Sequence, residues 1–261
     1  MYGYATPTHI AGNVADWPQL GVKLPKPLTA AIDILESLRW VEIGHQPVFD
    51  LSGITPENAE RAIYDYANEL LPSLSQAEER PVLEVAKATA VDTAARAVLR
   101  EASAAVPGII EQLTPDFVRH AAAYVDAVSV LPEDLNDRSL IEAGPSALSA
   151  FGAAQDAARY LRAVAAWVQS VASLPGQQTE PDPALRGVLR PADGRQLSRL
   201  DEAHRANGNQ TLEALDKVLF VAAREGVAFE LTTLRESAVI RHEIIARNRP
   251  APVANSPASR R

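Results

Sequence analysis

Apolar residues recur at intervals of three and four along most of this chain, which is the spacing of amphipathic α-helices. The clearest case begins at Gly144-Pro145-Ser146 and continues to about Ser173. Its stripe consists of Phe151, Ala154, Ala158, Leu161, Ala165, Val168 and Ala172. The pattern predicts the longest helix of the protein, central and mostly buried along an alanine-rich seam of the coiled-coil type.

Capping signals and apolar stripes predict the remaining helices. Helices are expected over 27–40, 82–105, from Thr55-Pro56 to Pro72, from Thr114-Pro115 onward, and two or three times after residue 195. Pro107-Gly108 is expected to end a helix, because proline lacks the amide hydrogen that a helix interior needs. A short strand is expected at Val48, Phe49 and Leu51. The prediction is an all-α multi-helix bundle of about seven to nine helices.

Proline and glycine divide the chain into five predicted parts. Residues 1–26 are expected to form an extended N-terminal arm, and residues 27–174 the main helical bundle. A Pro/Gly-rich linker is expected at 175–194 and a helical subdomain at 195–248. Residues 249–261 are expected to be a disordered C-terminal tail.

Composition agrees with a helical protein and excludes several kinds of chemistry. Alanine dominates the apolar residues, aromatic residues are only 5% of the chain, and cysteine is absent. The absence of cysteine excludes disulfides, thiolate nucleophiles and cysteine-ligated metals. Neither a signal peptide nor an apolar run of 18 residues is found, so a cytoplasmic protein without a membrane segment is expected.

Charge argues against general binding of nucleic acids. The net charge is −8, and an acidic surface repels phosphate backbones. The charge is unevenly spread, since residues 1–194 carry 14 basic and 25 acidic groups while residues 195–261 carry 11 and 8. Such asymmetry can orient a protein in an assembly, although ordinary scatter of surface charge explains it equally well.

A search for catalytic and metal-binding motifs finds none. The phosphate-binding glycine patterns are missing, and Ser146 is better explained as a helix-capping residue than as a nucleophile. His242-Glu243 begins like a zinc-binding helix, but Ala246 stands where the second histidine belongs. Asp201 and His204 have the spacing of an ion pair on a helix surface. No catalytic residue, cofactor or metal is therefore predicted.

Two groups of residues are predicted to contact a partner protein. Aromatic side chains are frequent at interface hot spots, and the arm carries three of them, Tyr2, Tyr4 and Trp17. The basic C-terminal region, with Arg241, Arg247 and Arg249, is expected to dock onto an acidic partner or onto nucleic acid. The alternatives are that the arm packs on its own chain and that the arginines complement a helix terminus and solvate a tail.

These observations favour a non-enzymatic structural or assembly protein that acts through partner or self-association, with a bacteriophage virion or head-assembly component as one instance. A bacteriophage component would be located in the virion. The alternative is a helical enzyme or small-molecule-binding bundle, for example with a pocket lined by Tyr64, Tyr124 or Tyr160. A DNA-associated module at residues 195–249 is a third option, which no recognition-helix pattern supports.

Overall fold

A computed structural model describes residues 6–43, 49–50, 52–74, 76–77 and 80–248. Ten α-helices and four two-residue strands lie in these ranges, which confirms the predicted all-α class. The helices are α1 (Pro7–Ala15), α2 (Lys26–Arg39), α3 (Ala59–Leu74), α4 (Val82–Val130), α5 (Asp137–Glu142), α6 (Pro145–Ser170), α7 (Gly194–Arg205), α8 (Gln210–Leu215), α9 (Lys217–Arg224) and α10 (Leu234–Arg247). The strands form two antiparallel pairs, β1 (Gln76–Ala77) with β2 (Arg80–Pro81) and β3 (Leu189–Arg190) with β4 (Ala228–Phe229).

The predicted extended arm is helical in its described part. The Thr6 hydroxyl accepts a hydrogen bond from the His9 amide at 3.3 Å, and Pro7 supplies the first helical residue of α1. A 3-10 turn, Trp17–Leu20, follows. Ala11, Val14 and Trp17 are buried. The expectation of an extended conformation is thus corrected for residues 7–20, because a capped amphipathic turn outweighs the scattered glycines and prolines.

The longest helix is α4, not α6 as predicted. It runs through 49 residues and contains Pro107 and Pro115, which were expected to separate two helices. Both prolines are exposed, so their rings meet no packed neighbour and water can reach the nearby backbone. Under those conditions an interior proline bends or weakens a helix without ending it.

The helix expected from Thr55-Pro56 begins later and ends later than predicted. Residues 55–58 form a turn in which the Asn58 side chain accepts from the Thr55 amide at 2.7 Å, and α3 starts at Ala59. The helix continues past Pro72 to Leu74. Phe49 is not in a strand, and Val48 and Leu51 lie outside the described residues.

Backbone contacts divide the chain into two compact units, with the boundary inside α4. The N-terminal unit consists of residues 1–19 and 23–105, and the C-terminal unit of residues 20–22 and 106–261. The chain therefore divides at a different place from the predicted boundary after residue 174.

Helix α6 lies at the centre of the C-terminal unit, as its seam predicts. Nine of its residues are buried: Ala147, Ala154, Ala157, Ala158, Leu161, Val164, Ala165, Trp167 and Val168. Its N-terminus falls at Pro145 after Gly144, whose φ of 84° suits glycine.

The segment predicted to be a linker, residues 175–194, is instead packed into the C-terminal unit. Ala184, Leu185, Val188 and Leu189 are fully buried, and β3 within it pairs with β4. Gly187 has a φ of 70°, and a Cβ there would lie 2.4 Å from the Val168 side chain. The close approach of the backbone to α6 therefore explains the glycine at position 187. The segment contributes to the core of the C-terminal unit rather than separating two domains.

Candidate functional site

Of the residues predicted to contact a partner, Trp17, Arg241 and Arg247 lie in the described ranges, and each has a different environment. Trp17 is 4% exposed, so its indole is covered within a single chain. Arg247 pairs with Glu243 one turn earlier on α10, at 3.7 Å. The remaining described residue, Arg241, is engaged in an ion cluster. Outside the described residues lie Tyr2, Tyr4 and Arg249.

The ion cluster joins three parts of the C-terminal unit through one guanidinium group. Arg241 of α10 donates two hydrogen bonds to Asp201 of α7, at 3.0 and 2.6 Å. The same group donates to both carboxylate oxygens of Asp182, one of them at 3.1 Å. Asp182 also accepts from the amides of Ala184 and Leu185, each at 2.9 Å. The cluster therefore holds the 175–194 segment against α7 and α10.

The pKa values of the cluster follow from these hydrogen bonds. Hydrogen-bond donation by Arg241 lowers the pKa of Asp201 from its ordinary value, against the opposing effect of burial. The hydrogen bond to Asp201 is also the largest cause of a raised pKa at Arg241. Asp201 and Arg241 are thus held in their charged forms at neutral pH. A general acid or base needs a pKa near the operating pH, so this cluster suits a structural role better than a catalytic one.

Two open hollows of about 720 and 600 Å³ flank the cluster. Asp201, Arg241, His242 and Ile245 line both of them. His242 is exposed, and His204 lines only the smaller hollow. Within the described residues, no group of three or more histidine and carboxylate side chains is arranged to hold a metal ion.

The three tyrosines considered for a pocket differ in their burial and contacts. Tyr64 is exposed on α3 in the N-terminal unit. Tyr124 is fully buried, and its hydroxyl donates to the Leu215 carbonyl at 2.8 Å. Tyr160 stacks on His120 with ring centroids 4.3 Å apart. None of the three lines the two hollows beside the ion cluster.

The N-terminal unit has a different kind of surface, which we call the apolar segment, residues 34–83. It contains nine of the sixteen large apolar side chains that are exposed in the described chain. These nine are Ile34, Trp40, Val41, Phe49, Ile63, Tyr64, Leu71, Val82 and Leu83. No described side chain between residues 36 and 93 is buried, so the described part of this stretch adds no side chain to a buried core.

Helix α3 is the centre of the apolar segment. Ile63, Tyr66, Ala67 and Leu70 lie on one face, and Ile63 is 60% exposed. Tyr66 meets Phe49 edge-on, with ring centroids 5.0 Å apart. Charged residues occupy the opposite face, where Arg61 and Asp65 are 3.7 Å apart. The helix therefore has the amphipathic pattern of a packed helix while much of its apolar face remains open.

Sequence reasoning missed both the ion cluster and the exposure of α3. Arg241 is 59 residues from Asp182 and 40 from Asp201, so no short motif connects them. The apolar residues from Ala184 to Leu189 were a usable signal that the supposed linker is buried. The stripe on α3 was visible in the sequence, but periodicity cannot tell a covered face from an open one.

Comparison with known proteins adds no family to this description. No family model matches the chain, and no significant match was found among curated proteins or solved structures. In the described ranges, no helix combines the length and apolarity of a membrane span.

Proposed function

We propose that this protein is a non-enzymatic structural or assembly protein, and that it acts through protein–protein contacts made by the apolar segment. The observation that carries the proposal is the run from residue 36 to residue 93 in which no described side chain is buried. An exposed apolar face on an amphipathic helix such as α3 is one mark of an interaction site. The predicted arm no longer supports the proposal through Trp17, which is buried.

The energetics of α3 favour an occupied state. A helix of 16 residues is close to the length at which isolated helices are marginal in water. Burying one large aliphatic or aromatic side chain contributes about 1.5–3 kcal/mol. Ile63, Tyr64 and Leu71 are 60, 65 and 56% exposed, so a partner covering them would stabilise both the contact and the helix.

The charge of the apolar segment indicates what kind of surface binds to it. Residues 27–90 carry eleven acidic and four basic side chains, a net charge of −7. A symmetric contact between two such segments would bring like charges together, which disfavours it. The complementary surface must combine apolar groups with positive charge.

Such a segment exists in the same chain. Residues 249–261 contain Arg249, Arg260 and Arg261, three prolines, three alanines and one valine, and no acidic side chain. We therefore assign the C-terminal segment of a second copy as the occupant of the apolar segment. A contact between two different surfaces of identical chains is heterologous, and it forms rings or filaments depending on whether the rotation closes. A virion or head-assembly role in a bacteriophage is one instance of this function and remains a prediction.

Light scattering of the full chain tests the proposal. The protein should show a concentration-dependent mass above 28.0 kDa, and the mass should fall as salt screens the charges. Deletion of residues 249–261 and the variant Ile63→Ser should each reduce the mass to that of a monomer. The matched control is Val118→Ser, which removes an equally exposed apolar side chain from the C-terminal unit and should leave the assembly unchanged.

A monomer at about 100 μM would overturn the proposal, since weaker contacts would rarely support a structural role. An assembly that Ile63→Ser dissolves but the deletion preserves would overturn the assignment of the C-terminal segment. If the deletion instead destabilises a monomer, that segment packs on its own chain, and the intermolecular contact is wrong.

A further inference from the structure

A third hollow, of about 340 Å³, lies in the C-terminal unit beside α6. Arg162, Ala165, Ala166 and Gln169 form one wall, and their spacing places them on a single face of the helix. The two alanines leave space between the longer side chains. Arg186, Asp216, Pro183 and His204 line the other side.

Two residues of this hollow have unusual backbone conformations. Arg186 has a φ of 55° and Asp216 a φ of 65°, and they are the non-glycine residues with positive φ in the described ranges. Their side chains form an ion pair with each other, and both are largely buried. Residues other than glycine rarely adopt a positive φ. Backbone strain of this kind tends to concentrate at ligand clamps and functional sites.

Asp216 does not leave a free negative charge in the hollow. One carboxylate oxygen accepts from the Val218 amide at 3.0 Å, which caps α9. The other accepts from Arg186, whose Nε also donates to the Pro183 carbonyl at 3.1 Å. The Arg186–Asp216 pair is therefore neutral overall and fixed in position.

Among the charged residues that line this hollow, Arg162 has no oppositely charged partner in the described part of the chain. Its guanidinium, half-buried on α6, forms no hydrogen bond or ion pair with any residue that the structure describes. The side-chain amide of Gln169, two turns further along α6, also has no partner in the described ranges. Arginines elsewhere on this helix behave differently, since the exposed Arg159 pairs with Asp156 at 3.4 Å.

We propose that this hollow binds a small oxyanion, a phosphate or carboxylate group, on the guanidinium of Arg162, with the Gln169 amide as a second donor. A planar guanidinium offers paired N–H groups that match both anions. The hollow is positively charged within a chain of net charge −8, so a free anion meets an attractive site against a repulsive background. This proposal concerns the C-terminal unit and does not rest on the proposed assembly function.

Isothermal titration calorimetry of the full chain tests it, with inorganic phosphate in one arm and succinate in the other, at constant ionic strength. Binding is expected with a dissociation constant on the order of 1 mM, as suits one exposed charge-assisted site. Arg162→Gln should weaken binding at least tenfold. Gln169→Glu should also weaken binding at least tenfold, because the new carboxylate would form an ion pair with the Arg162 guanidinium and compete with the anion. The control Arg159→Gln should bind like the parent protein.

The melting temperature without anion separates binding from a structural role. Since Arg162 has no partner in the described chain, Arg162→Gln should melt within about 2 °C of the parent, as surface substitutions usually do. Binding of phosphate alone or succinate alone identifies which group the site prefers and supports the proposal in either case. It would be overturned by the absence of binding for both anions at 10 mM, by equal binding in Arg162→Gln, or by a large loss of stability in that variant.

Discussion

At the scale of single residues, two tyrosines of the C-terminal unit differ in how their hydroxyl groups are satisfied. The hydroxyl of Tyr124 donates to the Leu215 carbonyl in a fully buried position. The hydroxyl oxygen of Tyr160 is buried and has no hydrogen-bond partner among the residues that the structure describes. Burial raises the pKa of both groups, so both stay neutral at ordinary pH. An unsatisfied buried hydroxyl is unfavourable by about 1–3 kcal/mol. Removing the hydroxyl should therefore affect stability differently at the two residues.

Replacing each tyrosine with phenylalanine tests this difference. Tyr160→Phe removes a hydroxyl without a partner, so the free energy of unfolding should stay unchanged or rise by up to about 1 kcal/mol. Tyr124→Phe leaves the Leu215 carbonyl without this donor and should lower the free energy of unfolding by about 1–3 kcal/mol. Urea denaturation measures both. A larger loss in Tyr160→Phe than in Tyr124→Phe would contradict the assignment of the hydrogen bonds.

At the scale of elements, local signals predicted some helix starts correctly and misplaced others. Gly144 before Pro145 marks the start of α6, because glycine takes the positive φ and proline suits the first helical residue. The prediction that Pro107 and Pro115 separate two helices is wrong, since an interior proline can bend a long helix without ending it. The ion cluster could not be predicted, because tertiary packing alone brings Arg241 to Asp182.

The ion cluster predicts a stability effect that local sequence does not. Arg241→Leu should lower the free energy of unfolding by about 2–3 kcal/mol, because it leaves two carboxylates without their cation. The partial exposure of Arg241 keeps this below the effect of a fully buried pair. Arg247→Leu on the same helix removes only an exposed pair and should change stability by less than about 0.5 kcal/mol.

Acid should reduce the difference in the free energy of unfolding between the parent protein and the Arg241→Leu variant. Hydrogen bonding to Arg241 lowers the folded-state pKa of Asp201 from its unfolded value, so its contribution to stability is present above the unfolded pKa and is lost as pH falls through the folded pKa. The parent should therefore lose stability more steeply than the variant below about pH 4. Thermal unfolding at several pH values measures both curves, and parallel curves would show that Arg241 does not set the pKa of Asp201.

At the scale of the whole molecule, the two units differ in how completely they bury their apolar residues. Within the C-terminal unit, α6 alone has nine buried residues. In the N-terminal unit, burial is confined to α1, the turn after it, α2 and the part of α4 after residue 93, within the described ranges. Local stability follows burial, so the apolar segment should open more readily than the rest of the chain.

Amide hydrogen exchange tests this contrast in the monomer. Amides of α3 should exchange at least a hundredfold faster than those of α6, because few buried contacts oppose local opening of α3. In an assembled sample, α3 should gain protection while α6 stays unchanged. Equal protection of α3 and α6 in a dilute monomer would show that α3 is stable without a partner.

The position of Trp40 gives the protein an optical reporter of its own. The chain has three tryptophans, of which Trp17 and Trp167 are buried and Trp40 is 80% exposed, next to the end of α2. A solvated indole emits at a longer wavelength than a buried one. Acrylamide also quenches the solvated indole, whereas it does not reach the buried one. The quenchable part of the intrinsic fluorescence therefore comes from the apolar segment, and covering that segment would shift this emission to the blue without any label.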